Sequence, residues 1–343
     1  MNNVISPQFS IGGGQARLVL TGALNTCDQV NDLLSGAVRA DGIHLNLLSL
    51  PVEEIFFRFT HNQEWSVSEM SFAKFLALTS KGGAPMVGLP VFTSRMFRHS
   101  AIYIRSDKGI QSPKDLQGMT IGIPEWAQTA GVYVRGMLEE YYGVDLNTIN
   151  WIQAGVNQPG RHEKVALNLP PQISYESRPD SSLDQMLQNG EIDAAITARP
   201  INGFLNKHPK IERLFSDFRK HESVYFRDTG IFPIMHLIVL RRADFESNRW
   251  IAMNLFKAFN EAKNRSVERL LDITASSVPL PWASALAHEL SSDFGGDLWP
   301  YGIEPNRRTL EAFCRFTFKQ GVASHHVDLN ELFPPEVRQT FRI

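Results

Sequence analysis

The chain has 343 residues, a length that favours two domains over one core. Its 43% hydrophobic and 20% charged content is that of an ordinary globular protein. With 34 basic against 36 acidic residues the formal charge is −2, which excludes the basic footprint of nucleic-acid binding or a polybasic membrane patch. The two cysteines, Cys27 and Cys314, match no metal or redox spacing, so they read as free thiols of a reducing compartment or as one disulfide. The start MNNVISPQFSIGGGQARL has neither the basic beginning nor the apolar core of an export signal. No later run reaches the ~18–20 apolar residues of a membrane span. A cytoplasmic protein is expected.

Taken in order, residues 1–15 read as a mobile leader ending in Gly12-Gly13-Gly14, and QARLVLTGAL as a first strand. VNDLLSGAVRA is a helix, IHLNLLSL a strand ending at Pro51, and VEEIFFRFTHN a second helix. EWSVSEMS is a short strand, FAKFLALTSKGG a helix closed by glycines, and PMVGLPVFTSRMFRHSAIYIRSD a long β-rich passage with a polar break. Strands alternating with helices at this spacing predict a parallel, doubly wound sheet.

A second series begins at Ser112. Ser112, Pro113 and Asp115 carry a helix-start pattern, MTIGI is a short buried strand, and Thr129 opens a helix bearing Val134, Leu138 and Tyr141 at helical spacing. The PEWAQT loop between them is either an anion site on a helix N-terminus or simply the turn of a βα unit. Ser182 and Gln185 cap SLDQMLQNG, Asn189-Gly190 stops it, and IDAAIT follows as a buried strand. GIFPIMHLIVLRRAD is again β, and RWIAMNLFKAFNEAKNRSVERLL a long amphipathic helix. The expected fold is α/β: two doubly wound lobes with a ligand cleft between them. Residues 1–104 and 231–343 form the first, discontinuous lobe and 105–230 the inserted second. The chain crosses near 103–107 and returns near 228–236. Ligands in such sheets gather beyond the carboxyl ends of the strands, where two facing lobes enclose a small molecule.

The run from Ser112 to Val144 resembles the corresponding part of type II periplasmic-binding-protein-like chains, as does SLDQMLQNGEIDAAITARP. More specifically, RMFRHS (95–100), GIFPIMHLIVLRR (230–242) and WPYGIEPNRRTLEAF (299–313) resemble the 4,5-dihydroxyphthalate decarboxylase family. That resemblance implies a cytoplasmic carboxy-lyase of aromatic catabolism and phthalate degradation, turning 4,5-dihydroxyphthalate into protocatechuate and CO2 without a cofactor.

Such chemistry needs an acid to protonate the ring carbon that loses CO2, a group to accept or polarise the phenolic proton, and cations to hold the retained carboxylate. Arg95, Arg98 and His99 lie within five positions beside the crossover. In extended backbone Arg95 and His99 share a face, which assigns Arg95 to the carboxylate and His99 to proton transfer. The alternative is that Arg98, or both arginines, make interlobe salt bridges. His236, in the apolar run FPIMHLIVL, is either a core histidine or an acid–base group. Glu69 follows a strand end, where partial desolvation suits an acid and helix capping is the alternative. Glu53 and Glu54 occupy a similar position. Glu125, Gln128 and Thr129 stand in the PEWAQT loop as candidate ligands for a carboxylate or catechol oxygen. Arg135 is more readily an exposed helix arginine. Thr197 and Arg199 follow IDAAI, with Arg199 a second candidate cation. Trp299 and Tyr301 cover the ring or pack a corner around Pro300. His325 and His326 are adjacent and diverge, so no metal site is predicted.

The partners expected are a small aromatic dicarboxylate and, compatibly, a second copy of the chain; neither nucleic acid nor membrane is expected. A cytoplasmic solute-binding or sensing protein that holds an aromatic or anionic ligand unchanged is the competing function. Fold alone does not separate the two.

Overall fold

A computed structural model describes residues 9–12 and 15–338. Of the expected leader, residues 1–8, 13 and 14 lie outside the described residues, while Phe9–Gly12 forms strand β1 against β2 (Gln15–Leu24). With β3 (Ile43–Ser49), β4 (Val67–Ser71) and β5 (Met86–Arg95) these build most of a first sheet. A second sheet holds β6 (Ile102–Arg105), β7 (Thr120–Ile123), β8 (Asn150–Gly155), β9 (Ser174–Ser182), β10 (Ala194–Ile196) and β11 (Ile211–Arg213). The chain then returns through β12 (Ile234–Arg241), which lies between β4 and β5 in the order β1-β2-β4-β12-β5, with β3 beside β2. The second sheet runs β11-β6-β10-β7-β8-β9.

The sheets are mixed, which corrects the all-parallel expectation. β2 runs parallel to β3 and β4, and β7, β8 and β9 run parallel to their neighbours. β6 and β12 are antiparallel to the strands beside them. These two are the strands on which the chain arrives from the other sheet, so they enter from the opposite direction. The outward crossing spans residues 96–101, earlier than the sequence suggested, and the return spans 230–233.

Local sequence accounts for most elements. Helix α1 (Asp28–Leu34) and helix α2 (Val52–Asn62) follow strand ends; α2 has Glu53 and Glu54 in its first turn, favoured by the helix dipole, and buries Ile55 and Phe59. Helix α3 (Phe72–Thr79) follows β4 directly, and helix α4 (Thr129–Glu140) follows β7 after a short loop. Helix α5 (Leu183–Asn189) starts where the Gln185 amide donates to Ser182 Oγ, and ends at Gly190, whose φ of 80° is unstrained only without a side chain.

The two sheets are joined by one apolar seam. The helix Arg307–Lys319 lies between α3 and α4: Phe313 stacks on Phe72 at 4.6 Å and on Tyr133 at 4.4 Å. Gly136 lets the Phe316 ring approach so closely that a Cβ there would stand 2.4 Å from it. Gln320, just past this helix, accepts the Trp126 indole N–H on its main-chain oxygen and the Arg135 Nε–H on its side chain. Arg135 is therefore fully buried, with its guanidinium 4.0 Å from the Trp126 ring centroid, and is not the exposed helix arginine expected. The Tyr133 hydroxyl accepts the Ile234 amide, which ties α4 to the returning strand.

Candidate active site

Between the sheets lies a cavity of about 480 Å³, within the usual range for small-molecule sites. Its first wall comes from α2, from Ser71 and Lys74 around the start of α3, and from Met235 and His236 on β12. Its second wall comes from the loop before α4, the segment 156–165, and Thr197 to Arg199 beyond β10. Arg98, on the crossing, also reaches it.

The centre of the first wall is a carboxylate–imidazole pair. Glu69 is only 2% exposed, and its Oε1 lies 2.7 Å from His236 Nδ1. The same oxygen accepts the Thr93 hydroxyl at 3.0 Å, and Oε2 accepts the Asn25 amide at 2.7 Å. Facing a carboxylate, Nδ1 carries the hydrogen, so Nε2 is the ring nitrogen left for chemistry. His236 lines the cavity, and Phe56 meets its ring edge-on at 5.0 Å. Glu69 stands behind it, outside the cavity lining.

Arg98 donates only to the Met235 sulfur, at 3.4 Å, and no carboxylate among the described residues comes within ion-pair distance. Burial lowers its pKa to about 10 against a smaller pull from Glu222, so it remains a cation at neutral pH. The other cations of the walls are mostly committed. Glu125 binds Arg161 at 2.6 Å and Lys164 at 3.3 Å, so it is already neutralised and does not stand free for a ligand hydroxyl. Arg199 pairs with Glu53 across the cleft, joining the second wall to α2. Gln128 lines the cavity with its buried Oε1 unpartnered. Thr129 Oγ1 is taken by the Ala73 amide and the Ser71 hydroxyl, where it ties α4 to α3.

The loop before α4 does hold an anion, and the chain supplies it. Glu163 accepts the amides of Trp126 at 2.5 Å and Ala127 at 3.3 Å. Burial, with the charge of Glu125, pushes its pKa up.

Arg95, His99, Trp299 and Tyr301 also lie away from the cavity lining. Arg95, expected to grip a carboxylate, is buried and donates to the main-chain oxygens of Phe232 at 2.8 Å and Pro300 at 3.1 Å. His99, expected to move protons, is 1% exposed in a ring of Tyr142, Phe215 and Tyr225, and burial lowers its pKa to about 3. A histidine held neutral and walled off is not an acid for a substrate. The reason is backbone: the chain stops being extended after Arg95 and forms a 3-10 turn at His99–Ala101, so the alternation of faces does not apply. Trp299 donates its indole N–H to the Phe92 carbonyl, and Tyr301 is buried with its hydroxyl unpartnered, so both are packing residues.

Lys74, Arg161, Glu163 and Lys164 were missed. Lys74 is the one charged residue of FAKFLALT, three positions past a strand end, and RHEK (161–164) is a charged cluster in a long connection; both signals are visible in the sequence. Among the described residues no group of three His, Cys, Asp or Glu is placed to hold a metal ion, and no helix is long and apolar enough to cross a membrane.

Residues 70–160 match the NMT1/THI5-like family. In fold the chain is similar to a putative periplasmic sulfonate-binding protein SsuA of Methylobacillus flagellatus (TM-score 0.54, 13% identity, 93% of this chain and 92% of that one). It is also similar to the periplasmic aliphatic sulphonate binding protein SsuA of Escherichia coli (TM-score 0.50, 12% identity, 93% and 98%). These likenesses concern the fold alone. A 4,5-dihydroxyphthalate decarboxylase of Pseudomonas putida is 37% identical over 62% of this chain and 82% of its own length. One of Comamonas testosteroni is 35% identical over 96% of this chain and 100% of its own. Identity of that order along the whole length of a curated relative means that the chain belongs to the 4,5-dihydroxyphthalate decarboxylase family.

Proposed function

We propose that the cleft decarboxylates 4,5-dihydroxyphthalate to protocatechuate and CO2, with the inserted lobe lying between the crossings at 96–101 and 230–233. The observation that carries this reading is the Glu69–His236 pair on the cavity wall. A module that only holds its ligand needs cations and backbone donors; a buried carboxylate that fixes an imidazole against the ligand space is acid–base machinery.

Each carboxyl of the substrate stands para to a hydroxyl. Ionising that hydroxyl raises electron density on the carbon bearing the carboxylate. Imidazolium His236 gives a proton to that carbon, held in place by the Glu69 carboxylate. The C–CO2 bond then breaks and its electron pair restores the aromatic ring. Arg98, with no carboxylate among the described residues within ion-pair distance, takes the retained carboxylate. Gln128 Oε1 accepts a catechol hydroxyl, and Phe56 and Met235 flank the ring. The free thiols of Cys27 and Cys314 support a reducing, cytoplasmic setting, and the reaction belongs to the breakdown of aromatic acids.

The test is to mix purified, metal-stripped protein with 4,5-dihydroxyphthalate and follow the ultraviolet spectrum and CO2 together. Equal yields of protocatechuate and CO2 support the reading. Tight binding by calorimetry with no turnover, even after divalent ions are restored, overturns it in favour of a binding module.

A further inference from the structure

The proposed reaction, on which this inference rests, leaves one role unfilled. Something must take the proton from the hydroxyl para to the departing carboxylate. His236 is occupied in delivering a proton to carbon, and Arg98 is a cation at neutral pH.

Lys74 stands in the first turn of α3, three residues past Ser71, and Ser71 is the residue paired with His236 across β4 and β12. Its side chain lines the same cavity as His236, Arg98 and Gln128. Among the described residues it makes no ion pair and no hydrogen bond, although it is half-buried. Arg161 and Lys164, by contrast, are held by Glu125, and Arg199 by Glu53. The other charged or titratable groups lining this cavity are Glu53, His61, Arg98 and His236 on its own side, and Glu125, Arg161, Glu163, Lys164 and Arg199 on the facing wall. Burial, and then the charge of Lys164, hold the Lys74 ammonium below the ordinary lysine range, against a smaller pull from Glu125. Both effects favour the neutral amine, the form that accepts a proton.

We infer that Lys74 is the catalytic base that takes the proton of the substrate hydroxyl para to the leaving carboxylate. The balance closes within the site. The hydroxyl O–H breaks and its proton forms an N–H on Lys74, while the oxygen becomes phenolate. A proton from His236 forms the new ring C–H, the C–CO2 bond breaks, and the electron pair returns through the ring to the phenolate oxygen. The Lys74 ammonium returns its proton to that oxygen as the product leaves, and solvent reprotonates His236. One proton is consumed and one CO2 released per turnover.

The experiment compares wild type with Lys74→Met and Lys74→Arg, all checked for folding by circular dichroism and melting temperature. Protocatechuate is bound at pH 7 and its ultraviolet spectrum recorded. The wild type should show the red-shifted spectrum of an ionised catechol, and both variants the spectrum of the neutral form. Their kcat should fall roughly 10²–10⁴-fold, the worth of a positioned proton transfer, with KM little changed. Wild-type turnover in Lys74→Arg would show that only the charge matters and would overturn the assignment, as would an ionised bound catechol in Lys74→Met. If the wild type ionises bound protocatechuate yet releases no CO2 from 4,5-dihydroxyphthalate, the decarboxylase reading fails while Lys74 as a proton acceptor stands.

Discussion

Replacing Glu69 by Gln should cripple turnover while leaving a folded protein. Three donors converge on the carboxylate: the Asn25 amide at 2.7 Å, the Thr93 hydroxyl at 3.0 Å and His236 Nδ1 at 2.7 Å. A carboxylate accepts from all of them, but an amide offers one oxygen and one NH2 group. If the Gln oxygen keeps Thr93 and His236, its NH2 abuts the Asn25 N–H, which costs about 1–3 kcal/mol for a buried donor left unpaired. If the amide turns over, its NH2 faces His236 and drives the hydrogen to Nε2. In both arrangements imidazolium His236 loses its counter-charge, so kcat should drop roughly 10²–10⁴-fold. KM should barely move, because Glu69 does not line the cavity. Steady-state CO2 release from 4,5-dihydroxyphthalate, with a thermal melt on the same samples, reads both effects. Wild-type kcat in a folded Glu69→Gln protein would remove the pair from the mechanism.

Arg98→Met should raise KM by about 10–100-fold, the worth of a charge-assisted grip on a carboxylate. It should also raise the melting temperature, because it removes a half-buried cation whose one hydrogen bond among the described residues is to a thioether. Unchanged KM would move the carboxylate elsewhere in the cleft. The buried His99 predicts an acid-labile protein: its folded pKa of about 3 lies below its ordinary 6.5, so its contribution is complete above 6.5 and drains away as pH falls toward 3. Glu222, raised by burial to about 7, works with the opposite sign between 4.5 and 7. His99→Phe should therefore cost about 1 kcal/mol at neutral pH, for the lost Tyr142 contact, and flatten the fall in melting temperature below pH 6.5. Parallel melting curves for variant and wild type would contradict this.

The elements most legible in the sequence are those whose signals are local. β2, α2 and the helix Ile251–Leu271 follow from alternation or helical spacing plus turn residues, and they form where those signals stand. The strand directions of β6 and β12 were not legible, because nothing within a strand records which side the chain arrives from. His236 and Glu69 were found by their place at the crossing and at a strand end. Arg95 was chosen over Arg98 on a period of two that the 3-10 turn breaks. Lys74 and Glu163 were overlooked because their significance lies in what faces them: an unclaimed ammonium and a self-supplied anion are properties of two walls meeting.

The seam formed by α3, α4 and the helix Arg307–Lys319 bears on how substrate gets in. Paired domains move against each other by default unless the surface between them is large and apolar. Swinging these sheets apart would unstack Phe313 from Phe72 and Tyr133 and strip Arg135 of Gln320. The width of the cleft is thus fixed at folding, and gating falls to parts that move without touching the seam. One such part is the exposed Arg199–Glu53 pair; the connection 156–173 is itself anchored, by the Asn168 amide on the Gly321 carbonyl just past the seam helix and by Glu163 on the loop before α4. Hydrogen exchange should accordingly find the α4 amides from Tyr133 to Leu138, and the Asn168 amide held by Gly321, slow with or without ligand, and the 165–167 amides beside the cavity fast until a ligand is bound; fast exchange along α4 in the free protein would mean that the sheets themselves open. In a cleft of set width the proposed trio of Glu69, His236 and Arg98 keeps its spacing whether the Arg199–Glu53 pair is made or broken.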